Sequence, residues 1–476
     1  MFARLSRWLD HTAFPRVEDP EAEGHKVAAL RIATGLVLVW RGGLMLRDSW
    51  YYFDPVPTPF GEWPLQALAA AAQLTLAVAL TVGFKPALSA LLLLATHPAF
   101  SIWTGTYNLG PMLLTPTLGA FAVLETGRLT AVGARRPALS PAHYRAVYAI
   151  VFVAYAGWNF QALLYHVGDA YWLQGQTASV LFTSSYLSEF YGAFRAWERS
   201  APDAYAALSI AVIVLQSLFQ LGMLPLMATD RGARFVRGWG WIFILGSLAD
   251  LQLSILPVVE AIMWTLVFVP PHWFIWRART RPGPSVAPSR GSAIAAGLFC
   301  GAYGVLLLAY FGNGVARFAL KRELPEWISD SALVHSGLVA PNVFNREDLT
   351  MGDRWPVLER ADGSEPGPVP FDGPDGERLA YHRSDLLYFA NSLPWRRGMI
   401  AVTDLASYHR PGGRGYEYAR RLASYDFRRH GSTGHGVYRC RLFRNRASQV
   451  ALGNDPIRYR PELVYEFTLQ VGAPPT

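Results

Sequence analysis

The sequence predicts an all-α polytopic membrane bundle of about nine transmembrane helices, followed by a small β-rich soluble C-terminal domain. Three observations carry this reading. The 476 residues are 51% hydrophobic and only 16% charged, where a soluble domain averages about 25% charged. The apolar residues gather in blocks between residues 27 and 311, most of them near the ~20 residues that a helix needs to cross a bilayer. Residues 312–476 lack such blocks and have an ordinary water-exposed composition.

Residues 1–26 are charged and amphipathic, with no apolar core of signal-peptide length. They are expected to form a cytoplasmic N-terminal segment. The transmembrane domain then runs over 27–311. Its spans are predicted at Val27–Leu46, Leu65–Val82, Ala87–Trp103, Pro111–Leu124, Tyr144–Tyr165, Tyr205–Met227, Trp239–Leu256, Val258–Trp276 and Ser292–Phe311. Only Pro257 separates the seventh from the eighth, which predicts a tight hairpin or one broken helix. The loop Gly168–Pro202 is long and mixed, and Trp172–Tyr191 within it reads as an interfacial amphipathic helix or a re-entrant segment. Residues 312–476 are expected to form the extracytoplasmic C-terminal domain. Strands are predicted at Met399–Thr403, Gly436–Phe443 and Leu463–Val471, where apolar and polar residues alternate, with a helix at Tyr416–Tyr425. Residues 347–377, acidic and rich in Gly and Pro, read as an irregular loop.

The net charge of +8 does not indicate nucleic acid, because the basic residues lie in short loops between apolar blocks. Cys300 falls in an apolar span and Cys440 in the tail. Neither a disulfide nor a Cys/His metal site is expected. His409, His430 and His435 lack acidic or cysteine partners at ligand spacing and read as surface histidines. The glycine-rich pieces at residues 312–314 and 412–415 lack the strand-turn-helix context of a phosphate loop.

The most informative stretch is Tyr148–Ala178. It begins apolar and turns polar and aromatic at Asn159, Gln161, His166, Asp169 and Trp172. Asn159, His166, Asp250 and Glu260 are the candidate site residues. All four fall toward the outer side of the predicted spans, with Arg41, His97, Asn108, Gln161 and Gln252. Charge inside a span costs at least ~2.5 kcal/mol on insertion scales, so such groups face a cavity, a partner or a function. The alternative is structural: His166 and Glu260 would mark helix ends, Arg41 would pair with Asp48, and Asp250 would pair with a neighbouring helix.

Leu30-Arg31-Ile32-Ala33-Thr34-Gly35-Leu36, followed by Tyr51-Tyr52-Phe53-Asp54-Pro55, resembles the opening of the HTTM family, the vitamin K-dependent γ-carboxylase-like membrane proteins. Tyr155-Ala156-Gly157 and Trp172-Leu173-Gln174-Gly175 are similar to that family's central segment, and Leu224-Pro225-Leu226 and Leu266-Val267-Phe268-Val269-Pro270 to later landmarks. The resemblance covers roughly residues 27–276. It implies a cytoplasmic N-terminus, an outer catalytic face and a β-rich C-terminal domain on that face. It also implies a lysine just after the Ala-Gly pair, acting as base in vitamin K hydroquinone oxygenation. Trp158, Asn159 and Phe160 stand there instead, and the chain's lysines are Lys26, Lys85 and Lys321. An amide cannot act as that base, so the resemblance supports the fold rather than the reaction.

Two functional classes follow. One is an HTTM-like protein with an outward-facing polar cavity, binding a secreted peptide, protein or lipid-like molecule, or helping it mature or leave. The other is a membrane oxidoreductase or carboxylase-like enzyme using a quinone-type lipid, with His166, Asn159, Asp250 and Glu260 as its residues. Membrane lipids are partners in both. A small-solute transporter is not indicated, because no pair of Gly/Pro-broken spans recurs in corresponding halves.

Topology rests on loop charge. With the N-terminus inside, cytoplasmic segments hold Arg4, Arg7, Arg16, Lys26, Lys85, Arg128, Arg135, Arg136, Arg231, Arg234, Arg237, Arg277, Arg279, Arg281 and Arg290. Outside loops hold only Arg47, Arg195 and Arg199 before the tail. That bias orients the chain N-in, and nine spans then export the tail. A reporter enzyme fused after Thr476 should be active only outside the cytoplasm; cytoplasmic activity would overturn the nine-span reading.

Overall fold

The computed structural model describes residues 8–47, 63–103, 109–124, 139–183, 188–251, 255–274, 290–339, 354–361, 435–445 and 461–472, with part of 409–427. The described chain is mostly helical, with a small three-stranded antiparallel sheet near its end. The helices are α1 (Pro20–Arg47), α2 (Trp63–Val82), α3 (Pro86–Trp103), α4 (Leu109–Val123) and α5 (Pro141–His166). Three short ones follow: α6 (Ala170–Leu173), α7 (Thr177–Thr183) and α8 (Tyr191–Ser200). Then come α9 (Pro202–Leu226), α10 (Asp230–Asp250), α11 (Leu256–Phe268) and α12 (Arg290–Val315).

The described part of each predicted apolar span is mainly helical. Among the described residues, three helices are long and apolar enough to cross a membrane: α5, α9 and the run Arg290–Leu320 that contains α12. Others are shorter. At 1.5 Å per residue, α4 with 15 residues and α11 with 13 rise only about 22 and 20 Å, short of the ~30 Å hydrocarbon core. The eighth span was expected to reach Trp276, but α11 stops at Phe268. Pro270 and Pro271 follow at once, without N–H groups to continue the ladder, and a 3-10 turn takes over at Pro271–Phe274. The break between α10 and α11 lies before Pro257, which sits in the first turn of α11, where a missing N–H costs nothing.

The helices pack α1 on α2, α3 on α4, α12 on α5, and α10 on α11. Helix α5 is buried for most of its length, and a cluster of rings sits beside it. Trp264 of α11 lies within 6.4 Å, centroid to centroid, of Phe152, Tyr155, Phe219 and Phe268. It can do so because α10 offers Gly240 opposite, where a Cβ would overlap the indole. Gly35 plays the same part between α1 and α2: a Cβ there would stand 3.0 Å from the Thr81 backbone. Small residues permit the close backbone approach that lipid-embedded helices rely on.

The C-terminus of α2 shows how the bundle satisfies its polar groups. Gly83 adopts φ +76°, and the Phe84 N–H returns to the Ala79 carbonyl at 2.9 Å, a Schellman closure. The fully buried Arg31 of α1 donates to the carbonyls of Leu80 and Thr81. At a helix C-terminus such carbonyls lack i+4 partners and carry the negative end of the helix dipole, and the Gly83 N–H also reaches the Leu80 carbonyl at 3.3 Å.

The outer surface of the bundle is apolar. Ile210, Val214, Leu218 and Leu221 stand exposed along one face of α9, and Leu298, Val305 and Leu308 along α12. Leu68, Leu91, Ile242 and Leu245 add to this on α2, α3 and α10. The helical structure also runs beyond residue 311. Leu333, Leu338 and Val339 belong to the same apolar core, and Tyr310 donates to the Val339 carbonyl at 2.6 Å.

The sheet has strand order β1 (Arg354–Arg360), β2 (His435–Asn445), β3 (Pro461–Gly472). Strands β2 and β3 match two predicted strands. Strand β1 corrects an expectation, because residues 354–360 were read as irregular loop. It contains Pro356, which an edge strand tolerates, and β1 is at the edge. The predicted strand Met399–Thr403 lies outside the described residues. Between Tyr416 and Phe427 the described residues are helical. Alternation along β2 buries Tyr438, Cys440 and Leu442, with Leu358, Leu469 and Val471 on neighbouring strands. Arg439 instead pairs with Glu466 at 3.7 Å.

Burial pushes the Cys440 thiol well above its ordinary range. An unfolded cysteine ionises near pH ~8.5, while the folded one stays protonated. Its contribution to stability is therefore complete below that pH and is lost as pH rises beyond it. Maleimide labelling of Cys440, followed by peptide mass mapping, should stay slow and flat from pH 7 to 9 in the folded chain. Labelling that climbs with pH as for a free thiol would show that the strand is not buried.

Candidate functional site

At one end of the bundle, a cavity of about 350 Å³ opens among the C-terminal halves of α5 and α10, the N-terminal half of α11 and the middle of α9. Helices α6, α7 and α8 complete its wall through Trp172, Leu181, Phe182 and Phe194. Most of the lining is apolar or aromatic, with Ala162, Val212, Ile213, Trp239 and Phe243 contributing. The structure brings together all four predicted site residues, because Asn159, His166, Asp250 and Glu260 each line this cavity.

They do not form a single hydrogen-bonded constellation. The Glu260 carboxylate accepts from the Tyr155 hydroxyl through Oε1 at 3.0 Å. Asn159 donates its amide back to the Tyr155 carbonyl at 3.0 Å, one turn earlier in α5. His166 stacks on Trp172, with ring centroids 3.9 Å apart and planes 18° from parallel. Asp250 accepts through Oδ1 from the Ser188 hydroxyl at 2.7 Å and the Phe190 N–H at 3.1 Å. The Glu189 N–H adds a bond to the Asp250 carbonyl at 2.8 Å.

Asp250 was expected either to face a cavity or to pair with a neighbouring helix. It faces the cavity, and its partners lie on the strap before α8. That strap leads into the amphipathic element of the region, and the location corrects the sequence reading. Trp172–Tyr191 is not one interfacial helix. It holds the short α6 and α7, separated where Gly175 turns the chain at φ +70°. The exposed-apolar and basic residues Phe190, Trp197, Arg195 and Arg199 gather instead on and beside α8. Helix α8 is held to α7 by Arg195 donating to the Thr183 carbonyl at 3.0 Å, and by Phe194 stacked on Phe182 at 4.9 Å.

Other predicted polar residues lie elsewhere. Arg41 and His97 meet each other, Nη1 to Nε2, at 3.4 Å, and neither lines the cavity. Gln161 donates to the Tyr310 carbonyl at 2.7 Å and ties α5 to α12. Asp48, Asn108 and Gln252 lie outside the described residues.

Two lining residues escaped the sequence reading. Gln216 and Gln220 of α9 face the cavity, and Gln216 accepts from Trp239 Nε1 at 2.8 Å. Their signal was present: two amides four apart in an apolar helix share a face. The lining described here contains no lysine or arginine. Among the described residues, no group of His, Cys, Asp and Glu has the arrangement to hold a metal ion. Comparison with protein-family models, curated proteins and solved structures finds no match.

The Asp250 clasp gives a direct test. Asp250→Ala leaves the Ser188 hydroxyl and Phe190 N–H without their acceptor, at a cost of about 1–3 kcal/mol per unpaired group. Asp250→Asn keeps the Oδ1 acceptor. Thermal unfolding of the purified chain should fall clearly for the alanine variant and little for the asparagine variant. Hydrogen exchange over residues 188–200 should accelerate only in the former; equal behaviour would exclude the clasp.

Proposed function

We propose that this chain is an HTTM-like integral membrane protein that binds a lipid-like molecule in the cavity beside α5. In this reading nine helices cross the membrane, the N-terminus is cytoplasmic, and the cavity and C-terminal domain face outward. The exposed Leu, Ile and Val faces of α2, α3, α9, α10 and α12 support membrane embedding. Water-soluble monomers rarely expose large contiguous apolar patches. The short α4 and α11 are compatible with it because both are mostly buried in protein, where irregular backbone at membrane depth is permitted.

The observation that carries the functional reading is the cavity itself, an apolar chamber with a few polar groups. Its volume falls at the small-ligand end of the usual range of ~300–1,000 Å³. That size favours a single small amphiphile over a secreted peptide or protein inside the cavity. A peptide would engage the outer surface or the C-terminal domain instead.

The enzyme reading, with a quinone-type lipid as co-substrate, draws less support. It needs a base and its orienting groups within mutual hydrogen-bond reach. Here the hydrogen bonds of Asn159, Asp250 and Glu260 run to Tyr155, Ser188 and Phe190 rather than to one another. The known carboxylase lysine has no counterpart at Trp158, Asn159 or Phe160.

The experiment is purification of the full chain in native lipid, followed by mass spectrometry of the molecules that remain bound. A discrete small amphiphile at near-stoichiometric amount is expected. Filling the chamber with Ala162→Trp, or with Leu181→Trp as a second variant, should reduce it by about tenfold or more. Gel filtration and thermal unfolding check that each variant is folded. Retention unchanged in both folded variants would place the bound molecule elsewhere and defeat the proposal.

A further inference from the structure

The two carboxyl groups of the cavity are each half-used, and this bears on what it binds. Asp250 is 8% exposed and Glu260 4% exposed. Each uses one carboxylate oxygen within the protein. The second oxygens, Asp250 Oδ2 and Glu260 Oε2, are buried and have no hydrogen-bond partner among the described residues. Both belong to residues that line the cavity. A buried carboxyl oxygen left without a hydrogen-bond partner is costly. Two such oxygens in one apolar chamber ask for a guest that supplies donors and positive charge.

No lysine or arginine in the described lining supplies either. The aromatic lining fits the same guest. Trp158, Trp172 and Trp239 line the chamber with Phe182 and Phe194. Ring faces, indole above all, attract cations when water is excluded. An anionic or zwitterionic phosphate headgroup would lack a counter-ion here. A quinone, which only accepts hydrogen bonds, could use the unpartnered donors Trp158 Nε1 and Thr177 Oγ1 but would leave both carboxylate oxygens without a donor.

We infer that the cavity selects a cationic amphiphile, a primary amine on an apolar chain, with Asp250 and Glu260 as its counter-ions. This rests on the proposal that the cavity binds a lipid-like molecule and names its chemical class. Asp250 then has two duties, holding the strap before α8 through Oδ1 and facing the guest through Oδ2.

The test uses the full chain in phosphatidylcholine nanodiscs and native mass spectrometry. The probes are decylamine, decanol and decanoate at equal concentration, which share a chain and differ in headgroup. The decylamine adduct is expected to exceed the decanol adduct by about tenfold or more. Asp250→Asn and Glu260→Gln keep the Oδ1 and Oε1 acceptors. Each should lower that ratio, and together they should bring it near one while decanol binding stays within about twofold. Equal amine and alcohol adducts, or a dominant decanoate adduct, would overturn the cationic assignment. If those adducts still vanish in Ala162→Trp, lipid-like binding survives without it. An amine adduct indifferent to Ala162→Trp would place the amine outside the cavity and overturn the inference. Absence of any adduct would remove the underlying reading as well.

Discussion

Placing a charge inside an apolar bundle is costly unless a partner is built in beside it, and this constraint decides which segments meet. Glu23 and Lys26, one turn apart in α1, form a buried pair at 2.7 Å. The Tyr148 hydroxyl of α5 donates to the same Glu23 oxygen at 2.7 Å. Lys26 reaches the Val269 carbonyl at the end of α11 at 3.2 Å and lies over the Tyr148 ring. One ion pair thus joins three helices at a single level. Arg31, a turn further along, closes the end of α2, and Arg145 of α5 reaches Asp10 at 2.6 Å. These contacts hold α1, α2, α5 and α11 in one arrangement before any apolar packing is counted.

The other end of the bundle is organised differently. There the polar groups surround a space instead of filling it. Tyr155 and Glu260 link α5 to α11, and Trp239 and Gln216 link α10 to α9. Asp250 ends α10 and gathers the strap that precedes α8. Each link leaves apolar walls between its members, and the chamber is what remains. Its wall of α6, α7 and α8 is made of short helices tied by side chain-to-backbone bonds.

The chamber's chemistry follows from the same economy of partners. At the closed end, every acid described above has a cation or a hydroxyl close by. At the chamber, Asp250 and Glu260 each have one oxygen satisfied and one buried oxygen without a partner among the described residues. Glu23 is shared by Lys26 and Tyr148, whereas Glu260 is held by Tyr155 through one oxygen.

Much of this protein was legible in its residues. Apolar blocks of helical length marked helices, because a long run of Leu, Ala and Val has few other folds. Strands β2 and β3 were legible from strict alternation. Asn159, His166, Asp250 and Glu260 stood out because polar groups are rare in such blocks, and they do share one cavity. Only tertiary structure decided what those groups do. Arg41, His97 and Gln161 carry the same local signal as His166, yet serve contacts elsewhere, because depth in a helix does not reveal which face it presents or to whom. Gln216 and Gln220 looked like filler until α9 turned them inward. The ends of α10 and α11, the strand through Pro356 and the position of the amphipathic α8 were likewise set by neighbours: a proline's tolerance depends on the edge it occupies, and a strap is ordered by the carboxylate that receives it.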